Sequence, residues 1–253
     1  MRSNNPALLL FIVVGALLAA GLACSGTQTE SPANTAATTP NSSSPAASPA
    51  TTSATKNITG TYDVTGTNSD GGGAYKAALV VTPRDDVYQF SWTSAGNSYD
   101  GVGVMTDNTV AVSWTGGKDG KGCGVVLYKV AADGSLDGKA GYWGVNSAET
   151  EKAKRTSGSD LEGRYEVTGK NPGGKDYKGD LNVKKQGDGY LFTWNTGSTF
   201  EGFGTKSGDK VAVGFGGKAC SFVSYEVKPD GMLDGKWGGQ SSTSFGTEVA
   251  KKK

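Results

Sequence analysis

One phrase occurs twice in this chain. Residues 133–139 read Asp-Gly-Ser-Leu-Asp-Gly-Lys, and residues 230–236 read Asp-Gly-Met-Leu-Asp-Gly-Lys. The match extends well beyond the phrase. Cys123 corresponds to Cys220, and Tyr128 and Val130 to Tyr225 and Val227. Tyr88, Phe90 and Trp92 correspond to Tyr190, Phe192 and Trp194, and Gly60-x-Tyr62 to Gly163-x-Tyr165. The spacing between equivalents changes only in polar gaps between apolar runs, where exposed turns tolerate insertion. Whatever this chain folds into is therefore built twice. Two copies are too few for a solenoid, which needs about three repeats to bury a continuous core. Two tandem modules, or one pseudo-symmetric domain, remain.

Each copy reads as antiparallel β. Tyr177, Gly179, Leu181 and Val183 alternate with Lys178, Asp180, Asn182 and Lys184, the period of a strand with one buried face. Turn signals follow closely on one another: Asp107-Asn108, Asp133-Gly134, Ser207-Gly208-Asp209, Asp230-Gly231. Asp-Gly between apolar runs predicts tight hairpins whose central residues take positive φ. No stretch after residue 57 has a helical period. The runs give about eight short strands per copy, from the Gly60 region to Glu151 and from Gly163 to Glu248, which suits a small closed barrel or sandwich. Gly101, Gly103, Gly202 and Gly204 mark sharp bends or close approach to a large aromatic. The fold expected is all-β, with two tandem homologous small antiparallel β-barrels (or sandwiches) at 58–155 and 161–250. The polar segment Ser147–Asp160 is the candidate linker, with its start expected to form the last strand of copy one, and Lys251-Lys252-Lys253 a solvating tail.

Ahead of the repeats, Arg2 precedes an apolar stretch from Ala7 to Ala20, and Cys24 follows. The stretch is shorter than the roughly 20 apolar residues of a membrane span. At Leu22-Ala23-Cys24 it resembles a bacterial lipoprotein signal peptide. That resemblance implies a signal over residues 1–24, lipidation of Cys24, and an exported protein held at the cell membrane or outer membrane, facing the periplasm or the cell surface. Residues 25–57 are Ser, Thr, Pro and Ala with almost no large apolar side chain. Such a segment cannot offset its ordering entropy and reads as a disordered tether. The layout Gly163-x-Tyr165, Tyr177-x-Gly179, an aromatic strand ending at Trp194, then Gly202-x-Gly204 resembles small secreted bacterial modules labelled fibronectin-binding. It implies extracellular binding rather than catalysis.

The chemistry available is narrow. With a net charge of +1 there is no electrostatic footprint for nucleic acid. Histidine is absent, and no close Cys pair exists, which leaves zinc and iron without ligands. No metal or cofactor is expected, and no enzyme. Asp133/Asp137 and Asp230/Asp234 lack the ligand count of a calcium loop and read as turn formers. With Cys24 lipidated, Cys123 and Cys220 remain at equivalent positions. Cys123, Val125 and Leu127 share one face of a strand whose other face carries Val126, Tyr128 and Val130. An outward apolar stripe in both copies suggests that the copies pack there about a pseudo-two-fold axis. A Cys123–Cys220 disulfide or two separately buried thiols then follow. Tyr88, Phe90, Trp92, Tyr190, Phe192 and Trp194 read as core, with the alternative that they line a ligand cavity. Taken together, the expectation is a monomeric, membrane-anchored envelope lipoprotein that binds a protein, matrix or polysaccharide partner without catalysis. A lipocalin-like carrier of a small apolar ligand is the alternative, and an envelope enzyme or enzyme inhibitor the second.

Overall fold

The computed structural model describes residues 56–253, and every regular element there is a β-strand. The signal peptide, Cys24 and all but the last two residues of the 25–57 tether lie outside the described residues. Copy one forms β1 (Gly60–Thr67), β2 (Ala74–Arg84), β3 (Val87–Ser94), β4 (Asn97–Thr106), β5 (Thr109–Gly116), β6 (Gly124–Val130), β7 (Leu136–Tyr142) and β8 (Glu149–Ser159). Copy two repeats them as β9 (Glu162–Lys170), β10 (Asp176–Gln186), β11 (Gly189–Asn195), β12 (Thr199–Ser207), β13 (Lys210–Phe215), β14 (Ser221–Val227), β15 (Leu233–Gly238) and β16 (Gly246–Lys252).

The strands close into two eight-stranded antiparallel barrels. Their limits are not those of the repeats. The first barrel is β1–β5 with β14–β16, and the second is β9–β13 with β6–β8. The ranges 58–155 and 161–250 are therefore sequence repeats but not folding units: each copy gives five strands to one barrel and three to the other. The barrels are closed across copies. β5 pairs with β14, Val112 opposite Val223, and β13 pairs with β6, Val213 opposite Val126.

The exchange follows from strands that are apolar on both faces. In β6, Val126 and Tyr128 join the second barrel's core, while Val125 and Leu127 point outward. The outward pair packs with Val87, Val102, Val104, Ala111 and Ala212 in a cluster between the barrels. In β14, the outward Phe222 meets Phe203 and Phe245 edge to face. Each outward apolar face is thus removed from water by the other barrel, the dominant favourable contribution to folding.

The described chain passes between the barrels twice, at 117–123 and at 216–220. Cys123 and Cys220 sit at the ends of these passages and are joined, with an S–S distance of 2.02 Å and Cα atoms 5.7 Å apart. Equivalent residues close to a pseudo-two-fold axis meet each other, so the two thiols pair rather than bury separately.

Three local expectations change. The strand expected at the start of Ser147–Asp160 runs on through nearly all of it as the 11-residue β8 (Glu149–Ser159), with Glu151 and Ala153 buried and Lys152 and Lys154 outward, so the segment is not a linker. The terminal lysines are not a free tail, because β16 runs to Lys252, which pairs with Tyr62 of β1. The Asp-Gly turns are five-residue loops in which only the glycines take positive φ, +80° at Gly134 and +84° at Gly231. Asp133 and Asp230 instead accept the backbone N–H two residues on, from Ser135 and Met232. The rest of the repeated phrase is explained by packing. Gly138 lies opposite Tyr128 and Gly235 opposite Tyr225. A Cβ there would sit 2.7 Å and 2.5 Å from the tyrosine ring, so glycine is what lets each ring lie flat across the neighbouring strand.

The disulfide closes a loop of 97 residues, for which the chain-entropy account gives about 4.7 kcal/mol. A Cys123→Ser/Cys220→Ser variant is expected to lose about that much stability in urea unfolding. Residues 56–160 and 161–253, co-expressed as separate chains, are expected to co-purify even in reductant. Two independently folded fragments would contradict the exchange.

Candidate functional site

Each barrel is plugged at one end and open at the other. Ile58 and Leu161, both fully buried, form the plugs, and their carbonyls accept the hydroxyls of Tyr62 and Tyr165 at 2.6 Å and 2.8 Å. β1 and β9 run from the plugs to the open ends. There the first barrel holds a cavity of about 300 Å³ and the second one of about 430 Å³.

A glutamate lies at the floor of each. Glu248 on β16 is 6 % exposed and Glu151 on β8 is 5 % exposed. Glu248 accepts the Tyr75 hydroxyl at 2.6 Å, the Trp92 indole N–H at 3.0 Å, and the Tyr225 hydroxyl. Glu151 accepts the equivalents: the Tyr177 hydroxyl at 2.5 Å, the Trp194 indole N–H at 3.0 Å, and the Tyr128 hydroxyl. Two donors meet Oε1 and one meets Oε2, which leaves acceptor capacity on Oε2, since a carboxylate offers about four lone-pair positions. Neither carboxylate has a Lys or Arg in ion-pair contact among the described residues.

The walls are aromatic and differ between the barrels. In the first they are Tyr75, Trp92, Tyr99, Trp114 and Trp237. The rings stand edge to face: Trp114 lies at 88° to Tyr99 and 64° to Trp237, and Tyr75 at 78° to Trp237. In the second barrel Phe200 and Phe215 replace Tyr99 and Trp114, and Ala140 replaces Trp237. Phe200 stacks on Trp194 there, 5.1 Å between centroids and 8° from parallel.

No protein-family model, curated protein or solved structure matches this chain. The site is therefore read from its own geometry.

Of the aromatics singled out from sequence, Trp92 and Trp194 reach the cavities. Phe90 and Phe192 are fully buried core beneath them, each stacked on its tryptophan. Tyr88 and Tyr190 sit towards the opposite end of their strands. Tyr88 faces a crevice with Trp143 and Val145, and Tyr190 lies under the Lys185 ammonium, 4.4 Å from its ring centre. Glu151 and Glu248 were not foreseen. The signal for them was parity: Glu151 is two residues from the inward Ala153, and Glu248 two from Ala250.

Burial pushes the hydroxyls of Tyr128 and Tyr225 well above the ordinary tyrosine value, and the adjacent glutamate adds to the effect. Tyr75 and Tyr177 are raised for the same two reasons in the same order. Tyr142 is pushed up to about 12, by burial first and then by Glu151 and Glu149. The folded state thus keeps protons that the unfolded chain's tyrosines release near pH 10. Stability is fully present below that pH and falls as pH rises above it. The melting temperature is expected to be level from about pH 7 to 9 and to drop above about pH 10, with tyrosinate absorbance appearing together with unfolding. Glu248→Leu would orphan two buried donors, Trp92 and Tyr225, at about 1–3 kcal/mol each, and the half-buried Tyr75 hydroxyl besides. It is expected to cost about 3 kcal/mol or more in a urea melt.

Proposed function

We propose that the protein is an exported, lipid-anchored, non-catalytic binding protein whose two barrels each take one small ligand, or one small group of a larger partner, at the open end. The observation that carries this reading is the recurrence in both barrels of an open cavity with aromatic walls over a single carboxylate held by three donors. Mostly apolar walls with a few convergent polar groups are the pattern of small-molecule sites.

Binding fits the site better than turnover does. Each cavity is lined by one carboxyl group, Glu248 or Glu151, whereas hydrolysis of a glycosidic bond uses two. That one carboxylate is already engaged by three donors. Because the cups open at the barrel ends, a group displayed on a matrix, polysaccharide or protein partner can enter end-on. With lipid attached at Cys24 and residues 25–57 as tether, two such sites on one chain would act together on a multivalent surface.

Native mass spectrometry of the chain, taken from its own host without denaturation and after exposure to envelope extracts, checks the reading. Discrete small masses or glycans, up to two per chain and lost on unfolding, are expected. A chain that stays bare throughout would overturn it.

A further inference from the structure

Resting on the reading of the cups as ligand sites, we infer that the first barrel's cup binds an organic cation, a methylated or quaternary ammonium group. Three features of that cup converge on this class.

The first is a buried charge without a counter-charge. Glu248 is 6 % exposed and takes no ion pair among the described residues. Its partners are two hydroxyls and an indole N–H, all neutral donors. They hydrogen-bond the carboxyl group, and none of them brings a counter-charge. A charge held out of water is costly until an opposite charge joins it. The Lys residues that neutralise other acids of the molecule lie elsewhere, as Lys210 does between Asp107 and Asp209.

The second is the wall. Trp92, Trp114 and Trp237 with Tyr75 and Tyr99 surround the carboxylate. Tryptophan is the best π partner for a cation, and a box of rings is the arrangement that recognises quaternary ammonium groups. The near-perpendicular packing of Trp114 against Tyr99 and Trp237 places ring faces on different sides of one small space. A small metal ion fits this space poorly, since it demands several oxygen ligands and the lining supplies one carboxylate.

The third is the contrast with the second barrel. There the same glutamate floor sits under Tyr142, Tyr177 and two phenylalanines, one of them stacked flat on Trp194, with Ala140 in place of a tryptophan. The glutamate floor and a ring-lined wall are common to both cups, and the first alone presents three indoles, against the single Trp194 of the second.

The test is a tryptophan-fluorescence and calorimetric titration of the full-length protein with tetramethylammonium, choline and 3,3-dimethyl-1-butanol, the uncharged isostere of choline. Three of the chain's five tryptophans line this cup, so occupancy has a direct signal. Choline and tetramethylammonium are expected to bind, and choline at least about tenfold more tightly than its isostere, the scale of a desolvated cation–π contact. Trp237→Ala, which puts at this position the alanine that the second barrel has at Ala140, is expected to weaken choline by about tenfold without unfolding the chain. Glu248→Gln, provided its circular dichroism is native, is expected to abolish the preference for the charged ligand. Equal binding of the isostere would overturn the cation while leaving the cup reading intact. Cation binding unaffected by Trp237→Ala would place the cation elsewhere and overturn the inference. Absence of binding by all three probes would overturn the inference and count against the cup reading as well.

Discussion

A strand that is apolar on both faces has to be covered twice, and that requirement organises this molecule. β5, β6, β13 and β14 each close a barrel with one face and meet the other barrel with the opposite one. A barrel that closed within one copy would satisfy the inner face only. Crossing over satisfies both, and it places the two passages of chain beside each other, where Cys123 and Cys220 are within bonding distance. Even the axis is closely packed. Ser113 of β5 and Gly214 of β13 are equivalent residues, and a Cβ at Gly214 would lie 3.0 Å from the Ser113 hydroxyl oxygen.

The glutamate floors tie the exchange to the cups. Glu248 and Tyr225 come from copy two, while Tyr75 and Trp92 come from copy one. In the other barrel Glu151 and Tyr128 come from copy one, and Tyr177 and Trp194 from copy two. Two of the three hydrogen bonds that position each glutamate are therefore also bonds between the copies. The glycine in each repeated phrase belongs to the same device, since it makes room for the tyrosine ring whose hydroxyl reaches the glutamate.

Much of this was legible in the residues. Period-two alternation located the strands, polar gaps located the turns, and the apolar outer stripe around Cys123 pointed to an axis and to the disulfide. What escaped was the crossover. The Gly-rich stretch after β5 reads identically whether the chain turns back or passes to a neighbour, because turn composition reports local φ and not destination. β8 escaped in part because its tail, Arg155 to Ser159, has no apolar side chain on either face and looked like a linker. The glutamates escaped because an acid on a strand, beside Lys152 for Glu151 and beside Thr247 for Glu248, suggests a solvated face. Only the inward parity set by Ala153 and Ala250 distinguishes them, and that parity gains meaning once a barrel interior is known to lie on that side.

Strand exchange also constrains how such a chain can change over generations. Neither half of the gene encodes a cup. The first cup draws Tyr99 and Trp114 from one copy and Trp237 from the other, so its π box records changes in both halves of the duplication. A substitution in β6–β8 is felt in the barrel that copy two mostly builds, and one in β14–β16 in the barrel of copy one. Duplicated segments ordinarily drift apart because each is free to specialise alone. Here the two halves are held to one another's history, and the loss of either would remove both sites at a stroke.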